Sequence, residues 1–153
     1  MKPETGFTLI ELMTTVAVTA VLLTLALPSF RETILSNRIS TQANEFVSDL
    51  NIARSEAVKS AQTVTITSNN GTNWGSGWTI TNAGGTTIRV HGPLDGSSTL
   101  TGSVNSIQYQ ETGFINGGAT LTFNLCDDRT GETGRQITIL TTGRPGSADL
   151  ACS

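Results

Sequence analysis

Near the start of the chain, Gly6-Phe7-Thr8-Leu9-Ile10-Glu11-Leu12-Met13 opens a run of apolar and small residues that reaches Leu27. As an α-helix, the 21 residues from Phe7 to Leu27 measure about 31 Å at 1.5 Å per residue. That matches a bilayer hydrocarbon core of about 30 Å. Glu11 is the only charge within the run. A carboxylate in an apolar span costs on the order of 2.5–3.5 kcal/mol on insertion scales, which marks it as a functional group. The alternative is that Glu11, four residues inside the edge, reaches the headgroups.

Only Met1-Lys2-Pro3-Glu4-Thr5-Gly6 precedes the run. A secretory signal is cut after its apolar region, at a small-residue site. Leu25-Ala26-Leu27-Pro28-Ser29 fits such a site poorly. A cut after Gly6 would instead keep the apolar helix and make Phe7 the new first residue, with its α-amine at the membrane edge. Glu11 would then be the fifth residue of the processed chain.

The stretch Gly6-Phe7-Thr8-Leu9-Ile10-Glu11-Leu12-Met13 resembles the class III signal of type IV pilins and type II secretion pseudopilins. The resemblance implies cleavage between Gly6 and Phe7 and N-methylation of Phe7 by a prepilin peptidase. It also implies that Glu11 neutralises the N-terminal amine of a neighbouring subunit during assembly. A buried carboxylate is tolerable when a cation pairs with it in a protein-lined setting.

Composition limits the remainder of the chain. Its 153 residues hold one anchor and one small domain, and the net charge of −3 argues against wholesale electrostatic capture of nucleic acid. Sixteen Gly, with many Thr, Ser and Asn, point to a turn-rich β domain. One His and two Cys argue against a zinc site. In an exported chain the two cysteines suggest a disulfide and an oxidising compartment; two free thiols are the alternative.

Pro28 marks a kink in the helix, the membrane exit, or both. Beyond it, Leu35, Ile39, Ala43, Phe46, Leu50, Ala53 and Ala57 recur at spacings of three and four and predict a helix to about Lys59. Arg31, Glu32, Arg38, Glu45, Asp49, Arg54, Glu56 and Lys59 mostly fall on its other faces, as a solvated surface. Alternation then predicts strands at Thr63–Thr67, Gly77–Thr81, Thr87–His91, Val104–Tyr109, Ala119–Leu125 and Arg135–Leu140, the second and third forming a hairpin.

Ala53-Arg54-Ser55-Glu56-Ala57, Gly77-Trp78, Leu121-Thr122-Phe123, Cys126-Asp127 and Gly143-Arg144 narrow the resemblance to the GspH/FimT group of minor pilins and pseudopilins, which includes FimU-like members. A Cys126–Cys152 bridge would pin the tail from Gly143 onward, as in the FimT/FimU members. FimT proteins used in DNA uptake carry Gly-Arg-x-Arg in this tail. Here Gly143 and Arg144 match and Gly146 replaces the second Arg, with Arg135 the other candidate contact. A lost phosphate contact lowers affinity and salt dependence. The alternative has Arg144 bonding backbone carbonyls near the bridge. Asp127-Asp128-Arg129-Thr130-Gly131-Glu132 lacks EF-hand ligand spacing and reads as a polar hairpin turn. His91 is the sole His, without a triad around it, and reads as a surface or strand-end residue. Trp74 and Trp78 are candidates to stack a base or sugar, but Trp78 in an alternating strand reads as core.

The expected fold is α+β and pilin-like: a long N-terminal transmembrane and amphipathic helix packed on a C-terminal antiparallel β domain. Residues 1–6 form the leader, 7–27 the span, 28–60 the periplasmic helix and 61–153 the β-rich domain. The expected function is a non-enzymatic minor pilin that takes part in assembly or priming of a type IV pilus, without cofactor or metal. A pseudopilin of a type II secretion system is the alternative, and a DNA-binding minor pilin for natural transformation the second. Expected partners are other pilins or pseudopilins through the N-terminal helix, the prepilin peptidase, inner-membrane lipid and, in the last reading, DNA. The expected location is the inner membrane, single-pass with a periplasmic domain, and then the pilus or pseudopilus.

Overall fold

A computed structural model of the chain describes residues 6–129, 131 and 133–152; the side chains of residues 25–29 lie outside the described set. One helix, α1, occupies Leu9–Ser60 and is shared between two compact units, Met1–Leu35 and Ser36–Ser153. No Gly or Pro falls between Leu9 and Leu27, and Leu, Ala and Met favour helix.

In the first unit the large apolar side chains from Phe7 to Leu23 are all exposed. Among the described residues no helix is long and apolar enough to cross a membrane. The run expected to span continues into residues 25–29, outside the described side chains, and the kink expected at Pro28 lies there too.

In the second unit α1 ends at Ser60, where Ala61 takes φ 51°. The Gln62 amide donates to Ala57 O (3.2 Å) and the Ala61 amide to Val58 O (3.4 Å). This is the Schellman arrangement, with alanine in the place glycine usually fills. Eight strands follow: β1 (Val64–Ser68), β2 (Trp78–Asn82), β3 (Thr87–His91), β4 (Thr99–Gly102), β5 (Ser106–Tyr109), β6 (Leu121–Cys126), β7 (Thr133–Ile139) and β8 (Pro145–Ala151). They form two four-stranded antiparallel sheets, ordered β3-β2-β1-β5 and β4-β6-β7-β8.

Two of these strands have no counterpart in the periodicity. Thr99–Gly102 is short, and only Leu100 in it is buried. Pro145-Gly146-Ser147-Ala148-Asp149-Leu150-Ala151 lacks alternation and strong β formers. It is a strand because the free edge of β7 offers it hydrogen bonds, in a register running from Ile139↔Pro145 to Thr133↔Ala151. The remaining strands lie within two residues of their expected positions.

The helical stripe supplies the core: Ile39, Ala43, Phe46, Leu50, Ala53 and Ala57 are buried, and Leu35, in the other unit, is half-buried. Phe46 is the focus. Its ring lies edge-on to Trp78 of β2 (4.9 Å between centroids), Phe123 of β6 (5.1 Å) and Trp74 (5.5 Å). Trp74 opens a short 3-10 turn, Trp74–Ser76, and donates from Nε1 to Val104 O at 2.7 Å. The preceding Asn73 bridges to Thr101 of β4, so this connection ties the first sheet to the second.

Candidate functional site

At the N-terminus, Thr8 stands just ahead of the helix and Glu11 in its first turn. Glu11 Oε2 accepts from the Thr8 amide (3.1 Å) and from Thr8 Oγ1 (3.0 Å), while the Glu11 amide donates to Thr8 Oγ1 at 3.3 Å. This reciprocal pattern is a capping box, and it places a negative charge where the helix dipole favours one. Thr8 was missed as a partner of Glu11, although Thr-x-x-Glu is present at residues 8–11. In the single chain the carboxylate is therefore already hydrogen-bonded.

Behind the cap, Thr14, Thr15, Thr19 and Thr24 donate their hydroxyls to the carbonyls of Glu11, Leu12, Thr15 and Val21, at 2.7–3.0 Å. These hydroxyls are satisfied within the helix, so its surface needs no water. An exposed apolar surface of this extent marks contact with lipid or with other chains. Gly6 and Phe7 precede the helix and are exposed.

In the β domain, Cys126 and Cys152 form a disulfide with Cα atoms 5.9 Å apart, and the described residues hold no free cysteine. It crosses β7 at Gly134. A Cβ there would fall on Leu125 O and Cys152 Sγ, with Cys126 Sγ at 3.1 Å. Gly134 is thus part of the bridge, a role nothing in its local sequence announces.

The two candidate DNA-contacting arginines lie apart. Arg135 pairs with Asp149 across the β7–β8 ladder and donates to Ser40 Oγ at 3.3 Å. Arg144 is exposed in the turn at the other end of that hairpin. The register separates them by five residues along the strand, roughly 17 Å. The Arg144 carbonyl accepts from the Leu140 amide at 3.1 Å, and the side chain has no bond or ion pair among the described residues. Gly143 has a packing role: φ is 78°, and a Cβ would strike Gly113 O. Gly143→Ala should therefore cost about 1–2 kcal/mol from its backbone conformation alone, whereas Arg144→Ala should stay within about 0.5 kcal/mol. Urea unfolding of the detergent-solubilised full chain, followed by tryptophan fluorescence, tests both.

One charge is misplaced by the helical pattern. Asp49 was expected on a solvated face, but it is fully buried. It accepts from Trp78 Nε1 at 2.9 Å, and Arg89 Nε lies 2.9 Å from its other oxygen. Position 49 falls three residues after Phe46 and four before Ala53, on the core face, where the Trp78 indole requires an acceptor. Arg54 also turns inward, donating to Gly113 O at 3.0 Å. His91 closes β3, stacked on Trp78 with centroids 4.0 Å apart and with Nε2 3.6 Å from Glu45. Both tryptophans are fully buried and present no face for stacking a base or sugar.

In the β6–β7 connection, burial raises the Asp127 carboxyl, but hydrogen bonds and charge from Arg129 outweigh that and hold it below the usual range. No cluster of three or more potential metal ligands occurs among the described residues.

Comparisons with known proteins agree with this architecture. Residues 42–143 match the family described as type II transport protein GspH, and residues 1–27 match the prokaryotic N-terminal methylation motif. Two crystal structures of the type IV minor pilin FimU of Pseudomonas aeruginosa share the fold. One has a TM-score of 0.69 at 24% identity, covering 77% of this chain and 97% of that one. The other has a TM-score of 0.65 at 24% identity, covering 74% and 99%. No curated protein matches.

Proposed function

Because this chain belongs to the GspH family, we propose that it is a non-enzymatic structural subunit, a minor pilin that takes part in building or priming a type IV pilus. The observation that carries this reading is the order of the two matched segments: the methylation motif lies ahead of the GspH segment in one chain. In this scheme a prepilin peptidase cuts between Gly6 and Phe7 and methylates the new amine. Residues 7–27 hold the subunit in the inner membrane, with the β domain in the periplasm, until extraction into the fibre. There the exposed apolar helix packs against other pilins, and Glu11 pairs with a neighbour's amine. That the type IV minor pilin FimU of Pseudomonas aeruginosa shares this fold is consistent with a place in a pilus.

A second reading, a pseudopilin for type II secretion, is favoured by the family's own description as a transport protein. Deleting the gene separates the two: loss of surface fibres supports the first, loss of protein export the second. The DNA-receptor reading rests on Arg144 alone, since Asp149 neutralises Arg135.

Glu11→Ala should leave the chain in the membrane fraction but remove it from sheared fibres. Recovery from fibres at the unmodified level would overturn the pairing role.

A further inference from the structure

The connection between β1 and β2 contains Asn69-Asn70-Gly71-Thr72-Asn73, which the fold uses as a turn. The geometry points to Asn70 as a site of spontaneous covalent modification, at which the side-chain amide is lost through a cyclic imide. Three observations carry this. Asn70 and Gly71 are exposed, and the Asn70 side chain has no hydrogen bond among the described residues. The Gly71 amide donates to no acceptor among them. Gly71 has φ 56°, and a Cβ placed on it would meet nothing within 4 Å, so the space beside its Cα is open and no side chain of its own crowds the backbone.

The chemistry needs only water. The Gly71 nitrogen, having released its proton to solvent, bonds to Asn70 Cγ. The Cγ–Nδ2 bond breaks, and Nδ2 leaves as ammonia with a proton from solvent. Water then opens the five-membered imide. Attack at Cγ yields aspartate; attack at the main-chain carbonyl yields isoaspartate, in which the backbone runs through Cγ.

The chain carries its own control. Asn116-Gly117 is the same dipeptide, but Asn116 Nδ2 is held by Gln108 Oε1 at 3.1 Å, and the Asn116 amide donates to Gln108 O at 2.9 Å. The Asn116 side-chain amide is tethered; that of Asn70 has no partner among the described residues. The consequence falls on the joint between the sheets. The Asn70 carbonyl accepts from the Asn73 amide at 2.9 Å, and Ser68 Oγ donates to Asn73 O at 3.0 Å while accepting from the Asn70 amide at 3.2 Å. An isoaspartate adds a methylene to the main chain inside this turn, immediately ahead of buried Trp74.

The test is incubation of the full chain in detergent at mildly alkaline pH, followed by digestion and mass spectrometry of the peptides holding residues 70 and 116. The same chain in denaturant and an Asn70→Gln variant are run alongside. The expected result is accumulation of the acid and isoaspartyl forms at position 70, their loss in Asn70→Gln, and an unchanged amide at 116 until the chain is denatured. Equal conversion at both positions in the folded chain, or an unchanged Asn70 while the denatured chain converts, would overturn the proposal.

Discussion

A Gly134→Val chain is expected to emerge with Cys126 and Cys152 as free thiols and with lower stability than any other single variant proposed for this protein. The bridge passes over β7 at the one position without a side chain. An added Cβ meets Leu125 O, which belongs to the β6 backbone, as well as Cys152 Sγ. The sulfur can turn away; the carbonyl is held within the β6–β7 pairing, in the register Leu125↔Arg135. The two cysteines are 26 residues apart. Closing a loop of that size contributes roughly 3–4 kcal/mol in the chain-entropy model. Crowding of the strand adds about 1–3 kcal/mol. Against a total of about 5–15 kcal/mol for a domain, the sum leaves little margin. Thiol titration of the denatured chain counts the free sulfhydryls, and a urea midpoint compares the variant with Cys126→Ser/Cys152→Ser. The valine variant should be no more stable than the serine pair. A closed disulfide with an unchanged midpoint would show that the strands can part around the side chain.

Phe46→Ala should cost about 3–5 kcal/mol, the usual range for emptying an aromatic site in a core. The contacts of the ring are the reason. It is fully buried and edge-on to Trp74, Trp78 and Phe123, which come from the inter-sheet connection, the first sheet and the second. Each such pair contributes about 0.5–1.5 kcal/mol beyond area burial. Removing the ring leaves three aromatic edges facing a void that the helix backbone cannot fill. The two tryptophans report this directly, so the urea midpoint and the emission maximum should both shift. A change of less than about 1.5 kcal/mol, as for a volume-conserving swap, would mean that the core collapses onto the site.

Much of the fold is legible along the chain. The buried helical face can be read because an α-helix brings every third or fourth residue to one side, and Ile39, Ala43, Phe46, Leu50, Ala53 and Ala57 keep that spacing. Strands β1, β2 and β3 can be read for the corresponding reason in a period of two. Strand β8 cannot, since its residues do not favour a strand and become one only by pairing with β7. Nor can the inward direction of Asp49, because a charge on a helix counts as surface until its partners, Trp78 and Arg89, are known.

The sequence by itself determined the elements whose cause is local: the apolar run from Phe7 to Leu27, the Thr8–Glu11 cap, the core stripe of α1 and the turns. Spacing and short-range sterics act within a few residues, so they are written in order along the chain. Only the tertiary structure decided that the strands divide into two sheets joined at Trp74, that the disulfide must cross a glycine 18 residues before Cys152, and that Arg135 and Arg144 face different surroundings. Those outcomes depend on which backbone edges and side chains meet across long separations. No periodicity encodes that meeting; it follows from packing all the elements at once.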